Sequence, residues 1–85
     1  MRVPLIKNLV DFAQANDEDY LHEAIEVLEH LSDAKGIKDE ELEVIGELMS
    51  NMFGAIEVHQ SIKEGKNPKD AVNEFMQRVM GSIDK

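Results

Sequence analysis

The sequence contains no cysteine and no tryptophan, and only two prolines. Without thiols there can be no disulfide, no thiolate metal site and no cysteine nucleophile, so a small core has to be held by packing alone. That suits a reducing, intracellular setting. Long apolar runs are missing as well: none approaches the roughly 20 residues needed to span a bilayer. The opening stretch MRVPLIKNLVDF has one early arginine but no extended apolar region. Asp11 and the lack of a small-residue cleavage site further argue against a signal peptide. The expected location is therefore cytoplasmic.

Basic residues are scarce, nine against 18 acidic ones, for a net charge of −9. A surface this negative repels phosphate backbones and anionic lipid headgroups, so neither nucleic acid nor membrane is expected as a partner. The charge serves solubility, and the partner it would attract is a protein with a basic surface. Catalytic signatures are absent too. There is no G-x-S-x-G, no phosphate-binding loop and no dinucleotide fingerprint. Ser32, Ser50, Ser61 and Ser82 have no base at a recognisable spacing. The expectation is a non-catalytic protein with no catalytic residues and no cofactor.

What remains is enough for one helical domain over residues 1–85. The apolar fraction is 42% and the charged fraction 32%, which suits a globular chain. No stretch alternates as a strand would. Four amphipathic segments can be drawn. The first runs from Pro4 to about Ala15, with Ile6, Leu9, Val10 and Ala13 at helical spacing and Leu5 and Phe12 widening the stripe. The second runs from about Asp17 to Ser32. Leu21, Ala24, Ile25, Leu28 and Leu31 form its inner stripe, with Tyr20 and Val27 on the flank. Asn16-Asp17-Glu18-Asp19 before it reads as a helix start, whose side-chain oxygens accept from free N–H groups. A cation site is the alternative. Gly36 supplies a turn and Asp39 an N-cap for the third helix, and Gly65 ends it. Asn67-Pro68 opens the fourth, which runs to about Ser82. Its stripe is Ala71, Val72, Phe75, Met76, Val79, Met80 and Ile83.

The third segment, about residues 39–64, is the spine. Leu42, Ile45, Met49, Met52, Phe53 and Ile56 define one apolar face, and Val44, Leu48, Ala55, Val58 and Ile62 extend it. Together they cover roughly 200° of the helical wheel, where a one-sided surface helix needs a stripe of about 100°. At 1.5 Å per residue the segment spans about 39 Å, against about 18–24 Å for its neighbours. Short neighbours cannot cover it throughout. Either it kinks, or two helices cover it end to end, or a second chain covers the overhang. The fold expected is an all-α, four-helix domain organised around this helix, homodimeric through it.

Gly46, Ser50 and Gly54 recur every four residues and fall beside the polar strip of Glu43, Glu47 and Glu57. A glycine inside a helix costs about 1 kcal/mol relative to alanine. A close approach by another helix backbone or a bend near Gly54 would compensate. His59 falls inside the apolar arc as a core or interface residue with a satisfied ring nitrogen, and is a possible pH-sensitive contact. The expected interface is Gly46, Met49, Ser50, Met52, Phe53, Gly54, Ile56 and His59. One alternative is chemical: His22, Glu26 and His30 stand at i, i+4, i+8 on one face of the second helix. Two histidines and a carboxylate so spaced could bind a divalent metal; they could equally be an ordinary solvated face.

The phrases NDEDY at 16–20, EVLEHL at 26–31, DEELEVIGELMSNMFGAIEVH at 39–59 and FMQRVMGSID at 75–84 together resemble a family of short acidic bacterial proteins of unknown function, mostly from Bacteroidetes. The resemblance covers nearly the whole chain. It implies no activity, cofactor or site residues.

Overall fold

A computed structural model describes the backbone of residues 2–83 and the side chains of residues 2–79. Its elements are four helices: α1 (Val3–Ala15), α2 (Asp19–Ser32), α3 (Asp39–Lys63) and α4 (Pro68–Ile83). Among the described residues there is no strand. The ends follow local chemistry. The Asp17 carboxylate accepts the Asp19 N–H at 2.9 Å, and the Asn67 amide oxygen accepts the Lys69 N–H at 2.9 Å, each satisfying a donor that the helix itself leaves free. At α3 the first helical residue is Asp39 itself. Lys38 takes the N-cap position, and its N–H donates to the Glu41 carboxylate at 3.0 Å. Gly36 (φ +87°) and Gly65 (φ +108°) make the turns on either side of α3 in the left-handed region that side chains disfavour.

Every other helix packs on α3. α1 lies along it in the same direction: the Arg2 N–H donates to the Asn51 side-chain oxygen at 2.9 Å, Ile6 sits at Gly54, and Glu18, just past the end of α1, reaches His59. α2 then turns back, bringing Leu31 beside Val44 and Ile45. α4 turns back on another side, with Phe75 against Gly54 and Arg78 paired to Glu57. Among the described residues α2 and α4 do not pack on each other. The result is a slab of 43 × 36 × 17 Å with α3 as its spine.

The buried face of α3 is rotated from the one expected. A wheel drawn on apolar residues alone centres on Met49 and Ile56 and leaves Gly54 beside the polar strip. In the structure Gly54, Ala55, Val58 and Asn51 are all buried, while Phe53 is 53% and Leu42 42% exposed. The cause is steric. An added Cβ at Gly54 would lie 3.0 Å from the Phe75 ring and 3.3 Å from the Ile6 methyl. The missing side chain is thus the space into which α1 and α4 both close. The approach of another helix backbone expected at Gly54 is not what is found: the near atoms are the side chains of Phe75 and Ile6, and α3 runs unbroken from Asp39 to Lys63. Gly46 is different: a Cβ there would meet nothing within 4 Å.

The inner stripes otherwise follow the pattern. Ile6, Val10 and Ala13 of α1, Leu21 and Ile25 of α2, and Ala71, Val72 and Phe75 of α4 join one core. Leu31, expected inside, is 46% exposed at the end of α2, where it lies beside Val44. Met80 and Ile83 lie outside the described side chains.

The two glycines should therefore respond oppositely to alanine. Gly54→Ala is expected to destabilise the fold by about 1–3 kcal/mol through overpacking, despite alanine's helix preference. Gly46→Ala should stabilise the protomer by up to about 1 kcal/mol. Urea unfolding of both variants at low micromolar concentration checks this. Equal stabilisation at both positions would contradict the close approach at Gly54.

Candidate functional site

The most concentrated polar chemistry is at the junction of α2 and α3. Glu18 precedes the first turn of α2, and its side chain is 11% exposed. His59 Nδ1 lies 2.7 Å from one carboxylate oxygen, and His22 Nε2 lies 2.9 Å from the other. Gln60 donates at 3.4 Å, and the Lys63 ammonium stands 3.5 Å away. An ionised carboxylate only accepts, so both histidine nitrogens carry hydrogens there. Burial alone would raise the pKa of Glu18. Hydrogen bonds from His59, His22 and Gln60 and the charge of Lys63 outweigh it and hold the group at about 2, down from 4.5. The arrangement is a latch between the start of α2 and the end of α3. It presents no nucleophile and no open coordination position.

The metal reading finds no support. His22 is engaged with Glu18, while Glu26 and His30 are exposed on α2. Among the described residues no group of three or more His, Asp or Glu side chains is arranged to hold a metal ion. A cleft of about 430 Å³ between α3 and α4 is lined by Glu57, Ser61, Lys66, Glu74 and Arg78. Its charges pair with one another: Arg78 with Glu57 at 2.6 Å, and Lys66 with Glu74. Arg78 also lies over the Phe75 ring, 5.7 Å from its centre. A site whose ions neutralise each other offers little to a substrate.

Among the described residues two apolar surfaces remain exposed. On one side of α3, Leu42, Gly46, Met49 and Phe53 form a straight stripe at spacings of four, three and four residues. Leu42, Gly46 and Phe53 are exposed and Met49 is half-buried. Roughly opposite them on the helix stand Val44 and Leu48, which are also exposed. There the end of α2 adds Val27 (66% exposed) and Leu31.

Of the residues expected at an interface, Gly46 and Phe53 thus face outward. Met49, Ser50 and Met52 are half-buried. Gly54, Ile56 and His59 are buried within the protomer and are used by its own packing. Two residues escaped the sequence reading. Asn51 is 1% exposed and anchors α1 through Arg2, while its own amide donates to the Glu47 carbonyl at 2.9 Å. Glu18 passes for one more helix-start acid. The available signals were an asparagine deep inside an apolar-rich helix, and a glutamate four residues before a histidine.

Glu18 allows a test by pH. Its pKa is depressed in the fold, so its contribution is complete above about pH 4.5 and is lost as pH falls towards about 2. Glu18→Gln should lower stability by on the order of 2–3 kcal/mol at pH 7. Urea midpoints of variant and native protein should converge as pH approaches 2. A gap that does not change with pH would contradict a charged latch.

No curated protein and no solved structure matches the chain. One family model does match it, over residues 1–84, and its description is Family of unknown function (DUF6952). Matched over nearly its full length, the chain belongs to this family of unknown function, DUF6952.

Proposed function

We propose that the protein is a non-catalytic helical interaction module that pairs with a second copy of itself through the outward side of α3. The observation that carries this reading is the stripe of Leu42, Gly46, Met49 and Phe53, of which Leu42, Gly46 and Phe53 stand exposed among the described residues while Met49 packs in part against the core. Its four-three-four spacing is the period at which two helices present a continuous seam to one another. The stripe itself contains no charged residue, so it is the part of α3 that a second acidic chain can approach without placing carboxylates face to face. Gly46 leaves open space between Leu42 and Met49, where a partner's side chain can seat. Leaving Phe53 and Leu42 in water forfeits roughly 1–2 kcal/mol of burial per side chain, which pairing recovers. A seam of only three turns is short for a permanent dimer, so the pairing is weak and reversible.

Sedimentation or light scattering from about 10 to 500 μM tests the reading, this range bracketing the dissociation constant of a small interface. The native chain should move from its 9.6 kDa monomer towards twice that mass. Leu42→Ser with Phe53→Ser should stay monomeric throughout with unchanged far-UV circular dichroism, since both side chains lie outside the core. A native protein that is strictly monomeric at the top of the range would contradict it.

A further inference from the structure

The second uncovered surface lies away from the proposed seam and has a different character. Tyr20, Val27 and Leu31 share one side of α2 at i, i+7 and i+11. The Tyr20 ring meets Phe12 edge-on at 5.7 Å between centroids, which extends this side onto α1. At the other end Leu31 shares a shallow apolar depression with Ile37 and Val44, and Leu48 follows Val44 one turn further along α3. Tyr20, Val27, Leu31, Val44 and Leu48 are all at least two-fifths exposed. Tyr20 to Leu31 spans about 17 Å, three turns of helix.

Acids rim this face at both ends. Asp17, Asp19 and Glu23 stand round Tyr20, and Glu40 and Glu41 stand round the depression at Leu31 and Val44, where Lys35 is the one basic side chain. A second copy of the chain would bring the same acids against these, on top of a net charge of −9 for each protomer. A basic partner gains where a copy would lose. An apolar floor of about three turns between two acidic ends has the complementary form of an amphipathic helix with leucine-like residues on one face and Lys or Arg at its flanks.

We propose that this face, formed by α2 and the N-terminal half of α3, receives a basic amphipathic helix of a partner protein. It extends the reading of the protein as an interaction module but uses a surface separate from the α3 seam, so either can fail without the other.

The chain contains no tryptophan, so a probe peptide carrying a single tryptophan can be followed alone. The probe is an 18-residue helix of leucines at i, i+3 and i+4 with lysines elsewhere. The control is the same composition scrambled to abolish the apolar face. The native chain should bind the amphipathic peptide at least about tenfold more tightly than the scramble, since charge alone does not distinguish them. Val27→Ser with Val44→Ser should lose about tenfold of that affinity while keeping the native circular dichroism. Glu23→Lys with Glu41→Lys should lose affinity and flatten its salt dependence. Leu42→Ser with Phe53→Ser should bind as the native chain does. Equal binding of both peptides overturns the proposal, as does unchanged binding by Val27→Ser with Val44→Ser. Loss of self-association in that variant with peptide binding intact would show a second copy on this face instead, and overturns it too.

Discussion

The contact that the remaining structure depends on is the one at Gly54, where the Phe75 ring and the Ile6 side chain close from two helices onto a position that has no side chain. A core this small cannot spread its helices apart, and two neighbours can share the middle of α3 only where α3 is thinnest. Close packing at that point decides the rotation of the whole helix. With Gly54, Val58 and Asn51 turned inward, Leu42 and Phe53 have to turn outward, whatever their own preference for burial. The exposed stripe is therefore a consequence of how the protomer packs, and its apolar character is then available for a second chain.

Glu18 holds the other end of the arrangement. The long third helix would leave its last turns free beside the start of α2. One carboxylate joins them by accepting from His59 and His22 and standing near Lys63. A carboxylate with so little exposure is tolerable only because its oxygens are met by several donors, and their combined effect overcomes the burial that would otherwise protonate it. Fixing the start of α2 here also fixes its far end. Leu31 is left beside Val44, and both it and Val27 stay exposed. Both uncovered surfaces thus trace back to internal packing rather than to any loop or flexible segment.

The helices themselves were legible in the sequence because their signals are local. Asn67-Pro68, Gly36 and Gly65 act within a turn of where they stand, and the boundaries drawn from them fall within about two residues of those found. The rotation of α3 was not legible. A helical wheel weights Phe53 and Leu42 as core candidates and Gly54 as a surface one, since hydropathy takes no account of the space that a neighbour's ring requires. The placement of Phe75, twenty-one residues further along, and of Ile6, far back in the chain, gives Gly54 its role. Glu18 was hidden for the same reason. Its partner His59 is distant in the chain, and a run of acids before a helix already has a sufficient local explanation.

The central claim is that α3 keeps one side for its own fold and gives the other to a second chain. Methyl spectra of the protein labelled at leucine and valine address it directly, because Leu42 stands exposed on the outward stripe, whereas Val10, Val58 and Val72 are buried within the protomer. Over a dilution series from about 500 to 10 μM, the range in which a short helical seam dissociates, the Leu42 signal should move with concentration while those of Val10, Val58 and Val72 stay in place. A Leu42 signal that is unchanged across the series, or a Val58 signal that moves in its stead, would contradict the account.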